Sequence, residues 1–289
     1  QKELGEIRDD IAPTWLEEPL TIAETADKYV RKERRRAFID LCEKPVGHYL
    51  DRFDFKSDLL KAMFAVTDGF SGMLGGWDTP GTGMNFLVHN MCRLPDAGGT
   101  WMIVKGGMGT VTSTIAERAK SFGATIETDR KVASILVERG TAKGVVLSDG
   151  TTLRADFIVS NADPFRLQNL IGMDHLPSAY NDRIQSYRRD GSTLKVNLAL
   201  SSLPKFTSLP NPPENFGPTI HLLPDERNVL EKLKEGFEDV RAGKLADFPT
   251  IEWYIHTAVD PSLKDEQGRH MAALFVQWVP YEIQGTTWD

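Results

Sequence analysis

The sequence predicts a mixed α/β (α+β) fold. A glycine turn, a helix and a β-meander lead back into a parallel sheet, and a second, antiparallel sheet covered by helices completes the chain. Three observations carry this. Lys105-Gly106-Gly107-Met108-Gly109 runs into an apolar pattern of helical spacing. Asp149-Gly150 lies between two short runs rich in strand-forming residues, a strong hairpin signal. Beyond Pro164 the pattern alternates again, cleanly so over Thr193-Leu194-Lys195-Val196-Asn197-Leu198-Ala199-Leu200.

A chain of 289 residues, 40% hydrophobic and 26% charged, is long enough for one large or two ordinary domains with a sizeable core. Its net charge of -7 argues against a general nucleic-acid binder, whose affinity rests on cations that displace counterions from phosphates. Cys42 and Cys92 are far apart and outside any Cys-x-x-Cys arrangement, which suggests neither a disulfide framework nor a zinc site. A reducing compartment fits: the cytoplasm, or alternatively the mitochondrial matrix. No apolar run approaches the roughly 20 residues of a membrane-spanning helix. The chain starts Gln1-Lys2-Glu3, without an initiator Met or an apolar signal segment, and is expected to be a fragment or a trimmed chain.

Residues 1 to about 105 read as mostly helical, punctuated by Pro13, Pro19, Pro45 and Pro80. Ala23, Ala26, Tyr29, Val30, Ala37 and Leu41 predict one surface helix between Thr21 and Leu41. Its basic run from Arg31 to Arg36 suits an acidic partner or a peripheral lipid contact, but such runs are more often a solvated face. Ser57 reads as an N-cap ahead of the stripe Leu59, Leu60, Met63, Phe64 and Val66. The glycine-dense stretch from Asp68 to Gly83 is a loop that either lines a cleft or turns a corner between helices. Met84 to Met91 reads as a short buried element. Its His89 is a core histidine or, less often in such surroundings, a catalytic base. Trp101-Met102-Ile103-Val104 is a strand end.

After Gly109, Val111, Ile115, Ala116, Ala119 and Phe122 define one helical face, and Gly123 sits where a left-handed cap belongs. Residues 124–128, 131–138, 144–147 and 152–155 read as strands. Phe157-Ile158-Val159 is apolar without alternation, the pattern of a strand buried on both faces of a parallel sheet. Ligand crevices lie beyond the carboxyl ends of such strands, which puts Ser160-Asn161-Ala162 at a ligand's edge. A plain strand-to-loop exit stopped by Pro164 is the equal alternative.

A proline-rich connector, with Pro204, Pro210, Pro212, Pro213 and Pro218, follows Leu203. Residues 219–223, 251–256 and 271–279 read as strands. A helix is expected from Pro224, with Asp225 and Glu226 in its first turn and Val229, Leu230, Leu233, Phe237 and Val240 on one face. Trp253, Tyr254, Phe275 and Trp278 suit either a core or a surface facing a large apolar ligand, the core being commoner. His221 and His256 lack a carboxylate or cysteine spacing that completes a metal site, so none is assigned. There is no G-x-S-x-G, P-loop or H-E-x-x-H motif, and catalytic residues stay unassigned.

The run Lys105-Gly-Gly-Met-Gly109, helix, Gly123-Ala124-Thr125-Ile126, Val132, Asp149-Gly150, Asp156 and Val159-Ser160-Asn161-Ala162-Asp163-Pro164 resembles the phytoene desaturase-like FAD-dependent oxidoreductases. The closer likeness is to their pyridine nucleotide-disulphide oxidoreductase domain-containing branch, through Thr79-Pro80-Gly81-Thr82-Gly83 and Val279-Pro280-Tyr281. The resemblance implies a partial FAD/NAD(P)-binding, Rossmann-like domain at 101–165. A substrate domain would be mainly helical over 1–100, with an antiparallel sheet and helices over 166–289.

By the same resemblance the cofactor is FAD. Val132 meets its adenine end, and Gly106, Gly107, Met108, Gly109, Ser160, Asn161 and Ala162 lie near it. The implied activity moves a hydride from an apolar small-molecule substrate to flavin, or rearranges double bonds with it. The family's N-terminal G-x-G-x-x-G unit and glycine-rich C-terminal FAD segment are not in this sequence. The expectation is therefore an internal piece of a longer flavoenzyme that binds FAD poorly alone. The rival readings are a non-catalytic scaffold that has lost its cofactor segments and, more weakly, a nicotinamide-dependent dehydrogenase.

Overall fold

The computed structural model describes residues 2–91, 102–187, 190–207, 219–225 and 227–288. Cys92, Trp101, Pro210, Pro212, Pro213, Pro218 and Glu226 lie outside them. The chain divides into two units, one of residues 1–111 with 191–289, the other of residues 112–190. Among the described residues no helix is long and apolar enough to cross a membrane.

The first unit begins with α1 (Lys2–Ile11), α2 (Ile22–Lys28), α3 (Arg35–Glu43), α4 (Val46–Leu50) and α5 (Asp58–Phe64). Ser57 Oγ caps α5 by accepting the Leu59 N–H at 3.2 Å. From α5 the chain widens into a π-helical turn, Ala65–Phe70, before α6 (Thr82–Met91). Such turns expand the backbone and are frequent where function is placed.

The single helix expected between Thr21 and Leu41 is broken in two. Arg31 is extended at φ -53°, ψ 140°, and both its backbone N–H (2.9 Å) and its guanidinium (2.7 Å) are committed to Asp10. Arg34 likewise pairs with Glu6 at 2.5 Å. Much of the basic run is thus spent on α1.

The sheet of this unit comprises β4 (Thr193–Leu200), β5 (Thr219–Leu222), β6 (Thr250–Tyr254) and β7 (His270–Gln277), in the order β4-β7-β6-β5 and antiparallel throughout. The helix expected from Pro224 starts later, as α10 (Val229–Arg241). Asp225 Oδ1 instead accepts the Arg227 N–H at 3.0 Å, a local turn that competes with helical entry. The core joins Ile7, Phe38, Leu41, Phe70, Leu87 and Leu233 with Trp278, whose ring packs 5.2 Å from Phe70 and 5.0 Å from Phe237.

In the second unit, α7 (Gly109–Ser121) runs in from the first and ends at Gly123, which takes φ +88°. The meander β1 (Val132–Glu138), β2 (Thr141–Leu147), β3 (Thr152–Arg154) follows in sequential antiparallel order, with Asp149-Gly150 at its hairpin. Then come α8 (Pro164–Ile171) and α9 (Ser178–Gln185).

Two expectations fail here. Residues 124–128 form no strand, and Phe157-Ile158-Val159 is neither a strand nor buried, with Phe157 88% and Val159 95% exposed. Apolarity alone makes no strand: the ladder needs a neighbour, and no described residue pairs with either segment. The fold class itself holds, as mixed helices and antiparallel sheets with a β-meander.

Candidate functional site

Three places gather chemistry. The first is the glycine turn. Gly106 and Gly107 have φ +80° and +84°, a region that side chains disfavour, and a Cβ on Gly106 would stand 2.9 Å from Thr110 Oγ1. The turn is tied down by the Gly106 N–H, which donates to Asp260 Oδ2 at 2.7 Å. Asp260 Oδ1 meanwhile accepts from the Ser262 hydroxyl at 2.6 Å and N–H at 3.1 Å. These bonds, Ser262's first and then Gly106's, hold the Asp260 carboxyl below its usual range. Gly109 opens α7, and the Met108 side chain is 69% exposed. Within the first unit the two leading glycines are therefore required by the backbone itself.

The second place is a pocket of about 380 Å³ in the second unit, lined by Lys131, Val132, Ala133, Ser148, Arg166, Asn169 and Leu170. Apolar walls from β1 and α8 face a polar edge from Ser148 and Asn169, and two cations are at hand. Such a set suits one end of a dinucleotide: Val132, Ala133 and Leu170 would hold a flat ring, and Lys131 and Arg166 would meet phosphate charge. The volume and donor set thus fit part of a dinucleotide cofactor.

Ser160, Asn161 and Ala162 precede α8. The Ala162 N–H donates to Ser160 Oγ at 3.2 Å, and Asp163 caps the helix by accepting the Arg166 N–H at 2.9 Å. They lead directly into the helix that supplies Arg166, Asn169 and Leu170. Of the eight residues expected at the cofactor, Val132 alone lines the pocket. Gly106, Gly107, Met108 and Gly109 belong to the first unit, and Ser160, Asn161 and Ala162 to the second.

The third place, which the sequence reading missed, is a polar row straight across the four-stranded sheet. Lys195 on β4 pairs with Phe275 on β7, Phe275 with Glu252 on β6, and Glu252 with His221 on β5. Directly opposed residues share a face, so these four side chains form one line, with Tyr254 beside Glu252 on the same face.

Glu252 is 2% exposed. Its Oε2 accepts the Tyr254 hydroxyl, and its Oε1 has no hydrogen-bond partner among the described residues. Burial pushes its carboxyl up to about 7. Lys195 Nζ stands 4.9 Å over the Tyr254 ring and 5.5 Å over Phe275, and desolvation lowers its pKa.

From the π-turn, Asp68 Oδ1 lies 3.7 Å from His89 Nδ1, and this carboxylate raises the imidazole's pKa. Thr67 Oγ1 reaches His221 Nδ1 at 3.5 Å, and burial lowers His221. Gln277 Nε2 donates to Val66 O at 3.1 Å, which fixes the sheet against the same turn. His89, expected to be a core histidine, is thus part of an ionisable cluster. The signal available in the sequence was a charge at an inward position of Ile251-Glu252-Trp253, which burial alone makes meaningful.

Residues 16–206 match the model of the flavin-containing amine oxidoreductases. The rat pyridine nucleotide-disulfide oxidoreductase domain-containing protein 2 is 34% identical over 257 residues, covering 87% of this chain and 44% of that protein. A 4,4'-diapophytoene desaturase of a Methylomonas species is 29% identical over 111 residues, 38% of this chain and 20% of the desaturase. Among solved structures, an oxidoreductase from Methanosarcina mazei superposes with a TM-score of 0.54 at 18% identity, covering 89% of this chain and 54% of that one, a likeness of fold. The chain thus spans less than half the length of the rat relative. With the family model matched over residues 16–206, the chain belongs to the flavin-containing amine oxidoreductase family.

Proposed function

We propose that this chain is part of an FAD-dependent oxidoreductase of the desaturase or dehydrogenase type, in which a hydride passes from a largely apolar substrate to the flavin. The observation that carries the reading is that Val132, the residue the family resemblance assigns to the adenine end, lines a pocket with two cations and an amide. When bound, the flavin supplies the two-electron chemistry. Lys131 and Arg166 neutralise phosphate charge, Val132, Ala133 and Leu170 hold the ring, and Asn169 with Ser148 fix its polar edge. In this proposal Ser160, Asn161 and Ala162, which precede the pocket's helix α8, are cofactor contacts of the second unit and Gly106, Gly107, Met108 and Gly109 are cofactor contacts of the first, with 101–165 as the cofactor segment and the remainder as substrate domain.

Flavin absorbance of the complete protein, purified as wild type and as Arg166→Ala, tests this. Arg166 is exposed, so its truncation leaves folding nearly unchanged. The expected result is a yellow wild type and a variant that loses flavin on dilution about tenfold more readily. Colourless wild type, or equal retention in both, would overturn the reading.

A further inference from the structure

We propose that the sheet face bearing Lys195, Phe275, Glu252 and Tyr254 is a head-group site for an apolar molecule carrying one neutral hydrogen-bond donor, a hydroxyl, which Glu252 Oε1 accepts. This deepens the proposed function by naming the substrate's polar end, and rests on it to that extent.

Three features of the face lead there. A buried carboxylate oxygen without a partner is costly, and a ligand donor satisfies it. The adjoining surface is aromatic: Tyr254 and Phe275 are partly buried, while Lys195, at the outer end of the row, is exposed. An apolar body approaching from the β4 side therefore crosses two rings before its head reaches Glu252, with the flexible Lys195 stem as a movable cover.

The charges facing Glu252 decide between a hydroxyl and an ammonium. Lys195 from β4 and His89 from α6 are its basic neighbours, Asp68 from the π-turn is a second carboxyl, and Tyr254 is a neutral donor on its own strand. His221 on β5 is held towards its neutral form by burial. Lys195, whose ammonium stands over the Tyr254 and Phe275 rings beside Glu252, repels a second ammonium brought to that oxygen, whereas a neutral hydroxyl meets no such repulsion. What it lacks is one neutral donor.

Calorimetric titration of the complete protein with 1-octanol, octyl methyl ether and octylammonium tests the site. The ether matches the alcohol but cannot donate. Wild type is expected to bind 1-octanol about tenfold more tightly than either, and Glu252→Leu to lose that preference. The infrared carboxyl absorption missing from Glu252→Leu should titrate near pH 7. It should move to lower pH with 1-octanol, because a donor stabilises the ionised form.

Tyr254→Phe, which keeps the acceptor, guards against a leucine variant that misfolds. It should retain the alcohol preference, and its carboxyl should titrate at higher pH. An alcohol preference unchanged in Glu252→Leu, a carboxyl titration insensitive to 1-octanol, or an ammonium bound more tightly than the alcohol would each overturn the proposal. A flavin-bearing wild type with any of these results leaves the proposed function standing, whereas a colourless wild type that still shows the alcohol preference separates the site from it.

Discussion

Tyr254 donates its hydroxyl to Glu252 two residues earlier on β6, so that one carboxylate oxygen is satisfied while the other, in a residue only 2% exposed, has no partner among the described residues. The pair lies on the sheet face that meets the π-turn, where a strand side chain is ordinarily apolar.

Stability should depend on pH through this carboxyl. Its folded pKa is raised from 4.5 to about 7, so its contribution is fully present below 4.5 and is lost as pH rises through 7. Glu252→Gln lacks the titration. The wild type should therefore lose stability relative to this variant across that window, by an amount on the order of 3 kcal/mol. Denaturant unfolding of both at pH 4.5 and pH 8 measures it, and parallel curves would contradict the burial penalty.

The glycine turn should loosen when Asp260 is changed. Asp260→Ala removes the acceptor of the Gly106 N–H, and hydrogen exchange at that amide should quicken about tenfold. Because the carboxyl is held below its ordinary range, the wild-type protection should itself be lost as pH falls through the depressed value. Unaltered exchange in the variant would mean that the positive-φ turn stands without this bond.

Two glycine substitutions in helices should act in opposite directions. At Gly83 a Cβ would lie 2.5 Å from the Lys44 carbonyl oxygen and 2.7 Å from that of Leu41, backbone atoms that no rotamer change moves aside. Gly83→Ala is expected to cost about 2 kcal/mol, or roughly 5 °C in Tm. Gly5, inside α1, meets only the flexible end of Arg8 at 3.7 Å, and Gly5→Ala should stabilise by about 1 kcal/mol. Thermal melts of the two variants decide, and the reverse order would sink the packing account.

The sequence by itself determined whatever depends on neighbours along the chain. The Ser57 cap, the Gly123 stop, the Asp149-Gly150 hairpin and the strands from Val132, Thr193 and His270 are legible because local spacing and turn chemistry select them. The most specific part of the family resemblance lay in the same local run, from Lys105 to Pro164.

Tertiary structure decided what depends on partners far away. Asp10, 21 residues upstream, breaks the helix at Arg31, and Phe157-Ile158-Val159 finds no strand among the described residues to complete its ladder. Lys195, Phe275, Glu252 and His221 become a single row only when four strands fall into register. Strand alternation tells which side chains share a face, whereas burial and cross-strand pairing set the carboxyl's pKa. Glu252 is thus an ordinary strand residue in the sequence and, in the folded protein, a buried acid with one oxygen unpartnered among the described residues.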